Sequence, residues 1–195
     1  YDTVCCNYCG YAALTKDFMN TTQVQRKLLR EKIQANYKSH EEVVCDAYST
    51  ETAISRLKMA LLCTVTKAGK ESEIGNICLK IDWLYQDLAD ELDENSSDYE
   101  SKKENYLAEA HNFAMNAYEH LSKARMEESF PIAGMNETTL DYLLSYLGYV
   151  KGEYQTAMQY LSGVVSTRGI SPRLKDKCLE LKELLNQKLH ASADQ

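Results

Sequence analysis

The chain has 195 residues, a formal net charge of −7 and 44% hydrophobic residues. An acidic surface does not attract phosphate backbones, so we expect no nucleic-acid partner. No apolar run reaches the roughly 18 residues that suggest a membrane span. With 2 prolines and 8 glycines the chain has few of the turn residues that a sheet-rich fold needs. The composition therefore favours long helices in a cytoplasmic protein.

Apolar residues recur at intervals of three and four from residue 21 onward, which is the period of an amphipathic helix. Candidate N-terminal caps precede several of these stretches, among them Thr21 or Thr22, Ser49 or Thr50, Asn136, and Ser171 before Pro172. The pattern predicts seven helices joined mostly by short loops, with residues 38–47 as a polar loop. Short loops make neighbouring helices antiparallel.

One segment has the pattern of a known helical repeat. Gly152-Glu153-Tyr154-Gln155-Thr156-Ala157, with Leu161 and Val164 after it, follows the second helix of a tetratricopeptide repeat, although the preceding helix lacks the tryptophan of that repeat. We therefore predict an all-α fold in which antiparallel helical hairpins stack as a tetratricopeptide-like array over residues 21–195. A short irregular segment that contains cysteines, residues 1–20, precedes this array.

The main chemical motif is the C-x-x-C turn of Cys6 and Cys9, which Gly10 follows. Two thiolates at this spacing converge on one tetrahedral ion, but a structural zinc site needs four ligands. Three interpretations stay open: half of a zinc site whose other pair lay upstream, a dithiol redox pair, or thiols without a function. Cys5 is a further thiol directly beside the pair.

The other cysteines do not suggest a disulfide framework. The total of 7 is odd, and Cys63, Cys78 and Cys178 lie in predicted helices, where reduced thiols behave as small apolar residues. No arrangement of serine, histidine and aspartate is readable, and the 4 histidines are dispersed. We therefore expect that the protein is not an enzyme.

The 14 tyrosines are the most unusual count in the composition. Tyr142, Tyr146 and Tyr149 follow one another at four and three residues along one predicted helix, and Tyr160 lies on the next helix. These rings pack between helix layers in one interpretation. In the other, they line a groove that accepts a peptide or a partner helix, since tyrosine offers a large contact area at a small entropy loss.

Several segments together resemble a bacterial family. These are residues 4–13 around the C-x-x-C turn, 53–61, Cys78-Leu79-Lys80-Ile81-Asp82-Trp83-Leu84-Tyr85, 130–143 and 152–157. In this order and spacing they resemble the proteins grouped as domain of unknown function 2225. The resemblance covers nearly the whole chain and implies a helical body similar to tetratricopeptide repeats. It also implies an upstream C-x-x-C, so that Cys6 and Cys9 would be the second half of a zinc site. It implies no activity.

Two functions follow as hypotheses. The first is a scaffold or adaptor that binds a protein or peptide through a helical groove, with zinc as a structural element. The second is a regulatory protein that responds to metal or oxidant through its cysteine cluster. Two chains that shared one zinc ion would form a homodimer.

Overall fold

A computed structural model of the protein describes residues 2–40 and 48–193. Over these residues the prediction of an all-α array of seven helices is confirmed. The helices are α1 (Gln23–Lys32), α2 (Thr50–Thr66), α3 (Glu71–Asp90), α4 (Tyr99–Glu127), α5 (Glu137–Lys151), α6 (Tyr154–Ser166) and α7 (Pro172–Ala193). None of the described helices is both long and apolar enough to cross a membrane. Cys45 and most of the predicted loop at 38–47 lie outside the described residues.

The N-terminal segment is more regular than we expected. Two strands, β1 (Thr3–Cys5) and β2 (Ala12–Leu14), pair antiparallel, with Thr3 opposite Leu14 and Cys5 opposite Ala12. These three-residue strands carry no long alternation of polar and apolar residues, so the sequence pattern did not predict them. The segment is therefore a β-hairpin.

Side chains at the predicted starts cap several helices. Backbone N–H groups three residues further on donate to the side chains of Thr22, Ser49, Asn136 and Ser171. Such a bond satisfies one of the free donors in the first turn of a helix. At the other end of α5, Gly152 adopts φ 87°, a left-handed conformation that favours glycine.

The chain divides into two compact units, Tyr1–Ala117 and Tyr118–Gln195, and the division falls within α4. The first unit contains residues 1–20, which we predicted as a separate segment. There β1 and β2 pack against α2, and β2 shares a hydrophobic core with three helices. The buried side chains of that core include Ala12, Leu14, Leu29, Ile33, Leu57, Ala60, Cys63, Ile77, Ile81 and Leu84.

The second unit is built on the hairpin of α5 and α6. The Ser145 hydroxyl donates to the backbone oxygen of Ala157 over 2.8 Å. A Cβ placed on Gly148 would lie 3.2 Å from the Cβ of Ala157, so these small residues allow the two helices to approach closely. Cys178, Leu181 and Leu185 of α7 complete this core. The closer likeness to a tetratricopeptide repeat stays a prediction.

Candidate functional site

The C-x-x-C motif forms the loop between β1 and β2. The backbone N–H of Cys6 donates to the Tyr11 oxygen over 2.8 Å, and the N–H of Gly10 donates to the Cys6 oxygen over 2.9 Å. Gly10 adopts φ 72°, in the region that favours glycine. The hairpin therefore fixes the backbone on both sides of the two thiols.

Backbone N–H groups point at both sulfurs. The sulfur of Cys6 accepts from the N–H groups of Tyr8 and Cys9, and the sulfur of Cys9 accepts from the N–H of Tyr11. A further hydrogen bond joins the Cys6 and Cys9 side chains. This arrangement favours negative charge on the sulfurs, because an ionised acceptor makes stronger hydrogen bonds than a neutral one.

The two thiols differ in acidity. Burial raises the pKa of Cys6, but the N–H groups of Tyr8 and Cys9 and the Cys9 side chain outweigh it, so the pKa of Cys6 lies below its ordinary value. Burial raises the pKa of Cys9, and the neighbouring Cys6 sulfur raises it further. The hydrogen bond from the Tyr11 N–H lowers this pKa but does not outweigh the other two effects. Cys6 is therefore the first of the pair to ionise.

Tyr37 and His40 support the turn, and sequence reasoning did not identify them. A Cβ on Gly10 would lie 2.4 Å from the Tyr37 ring, so only glycine fits against this ring. The Tyr37 hydroxyl lies 3.2 Å from Nδ1 of His40, whose backbone N–H donates to the oxygen of Asn7 over 3.3 Å. Both residues follow α1, and no local pattern connects them with the C-x-x-C turn.

Cys63 attaches the hairpin to α2. Its sulfur accepts from the N–H of Ala12 at 3.4 Å and lies 3.6 Å from the oxygen of Gly10. Burial raises the pKa of this thiol. Cys78 and Cys178 are buried too, as we predicted for all three. Cys63 thus acts as a small packed side chain that holds the turn in place.

The residues that could hold a metal ion are Cys6 and Cys9. Within residues 2–40 and 48–193, no three or more histidine, cysteine, aspartate or glutamate side chains are grouped so as to hold one. The two thiols fit two positions of a tetrahedral zinc site, in ligand type and in their supporting hydrogen bonds.

A family model matches most of the chain. The family described as "uncharacterized protein conserved in bacteria", domain of unknown function 2225, matches residues 1–185. The chain belongs to this family. The resemblance that we drew from the C-x-x-C turn and the helical segments is thereby confirmed. Neither the curated proteins nor the solved structures contain a significant match. The family description names no activity.

The four tyrosines that we considered as the lining of a partner-binding groove lie in different surroundings. Tyr142 and Tyr149 are partly buried and pack against the core of α6 and α7. Tyr160 lies close enough to Tyr118 and Arg125 of α4 to influence their pKa values. Tyr146 is 42% exposed. Of the four rings, Tyr146 is therefore the one most accessible to a partner.

Proposed function

We propose that this family member is a scaffold or adaptor that binds another protein, and that Cys6 and Cys9 supply two ligands of a structural zinc ion. The observation that carries the zinc assignment is the set of backbone N–H groups directed at the two sulfurs. Hydrogen bonds of this kind orient metal ligands and stabilise their charged form. Zinc in structural sites has four ligands, so two more come from outside the described residues.

Zinc would hold a hairpin that is too small to be stable alone. An isolated hairpin of two three-residue strands is marginal in water, so β1 and β2 depend on their packing against α2. A closed zinc site contributes free energy directly to folding. In this proposal the ion keeps the hairpin on α2 and takes no part in a reaction.

Cobalt substitution tests the zinc assignment. The full-length protein is purified, its zinc is measured, and the metal is replaced with Co²⁺, whose charge-transfer absorption increases with the number of bound thiolates. Cys6→Ser and Cys9→Ser should each lose metal and part of this absorption. Cys5→Ser is the control, because the Cys5 sulfur lies 3.9 Å from the backbone oxygen of Arg56 in α2. Unchanged metal content in the first two variants would disprove the assignment.

The observation that favours protein binding is the position of Tyr146 on α5. Its ring is exposed, while Tyr142 and Tyr149 on the same helix are held by packing against α6 and α7. An exposed aromatic ring on a rigid helix loses little entropy when it is buried by a partner. The proposed partner surface therefore centres on Tyr146.

Tyr146→Ala tests this surface, with Leu184→Ala as its control. The two side chains are almost equally exposed, at 42% and 43%, and both belong to the second unit. Tyr146→Ala should reduce partner recovery in quantitative co-purification by about tenfold or more, as is typical of a central contact residue. Its melting temperature should stay close to that of the native protein. Equal losses in both variants would contradict the proposal, and a large drop in melting temperature would place Tyr146 in the core.

The regulatory hypothesis has one observation in its favour, namely that the side chains of Cys6 and Cys9 are hydrogen-bonded to each other and only partly buried. An added oxidant would take two electrons and two protons from the Cys6 and Cys9 thiols and leave a disulfide between them. Peptide mapping after mild oxidation distinguishes the hypotheses. A reversible Cys6–Cys9 disulfide that changes partner binding favours the regulator, whereas thiols protected by metal favour the structural site.

A further inference from the structure

A pocket of about 180 Å³ opens beside the cysteine turn, between the hairpin and α1. Cys9 and Tyr11 form one wall, and Leu29 and Ile33 form part of the lining from α1 and the residue after it. Leu29 and Ile33 are buried. The pocket therefore offers an apolar interior that is open to solvent.

Two arginines line this pocket. Arg26 and Arg30 both line it and lie one turn apart on the same face of α1. In the part of the chain that the structure describes, neither guanidinium forms an ion pair, whereas the neighbouring Lys27 pairs with Glu31 at 3.8 Å. An arginine fork matches the geometry of a carboxylate. In a protein of net charge −7, this pair favours an anionic ligand.

The volume decides what kind of ligand fits. Sites for drug-sized molecules measure about 300–1,000 Å³. A cavity of about 150 Å³ lined by apolar side chains accepts one benzene molecule. At about 180 Å³ the pocket has room for a single aromatic ring or one branched aliphatic side chain.

We propose that this arginine-lined pocket is the anchor site for an acidic segment of a partner protein. The segment inserts one aromatic or leucine-sized side chain against Leu29 and Ile33. Carboxylates on either side of that residue bind Arg26 and Arg30. Interfaces commonly concentrate their affinity in one such buried anchor. The inference rests on the proposed protein-binding function and gives the chemistry of one partner segment.

Labelled synthetic peptides test the proposal on the full-length protein. The probe has the sequence Glu-Asp-Phe-Asp-Glu, and binding is followed by fluorescence anisotropy and by chemical-shift changes in NMR spectra. Replacing its Phe with Ala should weaken binding at least tenfold, because the anchor is lost. A Lys-Lys-Phe-Lys-Lys peptide should not bind, because it places like charges together.

Variants of α1 locate the site. Arg26→Gln and Arg30→Gln should each lower the affinity for the acidic peptide about tenfold or more and reduce the salt dependence of its binding. Lys32→Gln is the matched control, since it removes one positive charge from the same helix but Lys32 does not line the pocket. Equal effects of all three variants, or no binding of the acidic Phe peptide at millimolar concentration, would overturn the proposal.

The outcomes separate this inference from the proposed function. If the native protein does not bind the acidic peptide but Tyr146→Ala still reduces partner recovery, the pocket proposal alone is disproved. Arginine-dependent peptide binding without any effect of Tyr146→Ala would support the pocket and disprove the surface on α5.

Discussion

Asp82 lies in the middle of α3 with only 3% of its surface exposed. Nε2 of Gln86 donates to its Oδ1 over 2.7 Å. Burial raises the pKa of Asp82 to about 6, against the opposing effects of this hydrogen bond and of His111. The fold therefore holds a carboxylate that would be more stable in water, and replacing Asp82 with Asn should stabilise the protein near neutral pH.

The magnitude follows from the two pKa values of Asp82. A rise from 3.8 to about 6 is about 2 pH units, and each unit corresponds to about 1.36 kcal/mol. The ionised carboxylate thus reduces the free energy of unfolding by about 3 kcal/mol at most. Because the folded protein binds this proton more tightly than the unfolded chain, the cost is fully present above about pH 6 and disappears as the pH falls towards 4.

Urea unfolding between pH 4 and 8 measures this effect. Asp82→Asn keeps an oxygen that can accept from Gln86, so we expect a gain of about 1–3 kcal/mol at pH 7.5 and almost none at pH 4. Asp87→Asn, which changes an exposed carboxyl on the same helix, is the control and should change stability little at either pH. A gain that does not depend on pH, or an Asp82→Asn protein that is less stable at pH 7.5, would refute the reasoning.

Two further substitutions have clear expectations. Lys67 is 3% exposed and its Nζ lies 3.1 Å from Oε2 of Glu73. Glu73→Gln leaves this buried ammonium without a counter-charge, so it should lower the free energy of unfolding, measured in urea, by about 3 kcal/mol. A loss below about 1 kcal/mol would mean that water solvates Lys67. Gly10→Ala forces φ 72° on alanine and a Cβ within 2.4 Å of the Tyr37 ring, so it should lower the melting temperature and Co²⁺ binding together. Unchanged values of both would contradict this account of the turn.

The helices could be predicted because their signals are local. The starts at Thr22, Ser49 and Asn136 were readable as capping residues, and each side chain makes the expected bond. Apolar residues of α2 that recur with the helical period, including Leu57 and Ala60, are buried, whereas Leu62 is 52% exposed. Each of these features depends on residues within one or two turns, so a single sequence contains the information.

A second buried face of α3 was not predictable in the same way. Ser72, Gly75, Leu79 and Asp82 recur at three and four residues and are all buried. Three of these four are small or charged and give no hydrophobic signal. The next residue, Trp83, is by contrast 50% exposed. The hydrophobic pattern of α3 therefore indicates one buried face, whereas the structure has two.

The cysteine turn was only half predictable. Cys6 and Cys9 were identifiable from their spacing, but the residues that position them are distant in the chain. Tyr37 packs against Gly10, and Cys63 accepts from the N–H of Ala12. Such contacts depend on the tertiary fold and leave no pattern in a single sequence.

The bond between Ala12 and Cys63 joins residues that are 51 positions apart. It makes the shape of the cysteine turn dependent on α2. The free energy with which Cys6 and Cys9 bind a metal is therefore coupled to the packing of that helix. A core substitution in α2 would weaken metal affinity without touching a ligand. In the same way, chelation would loosen contacts far from the ion.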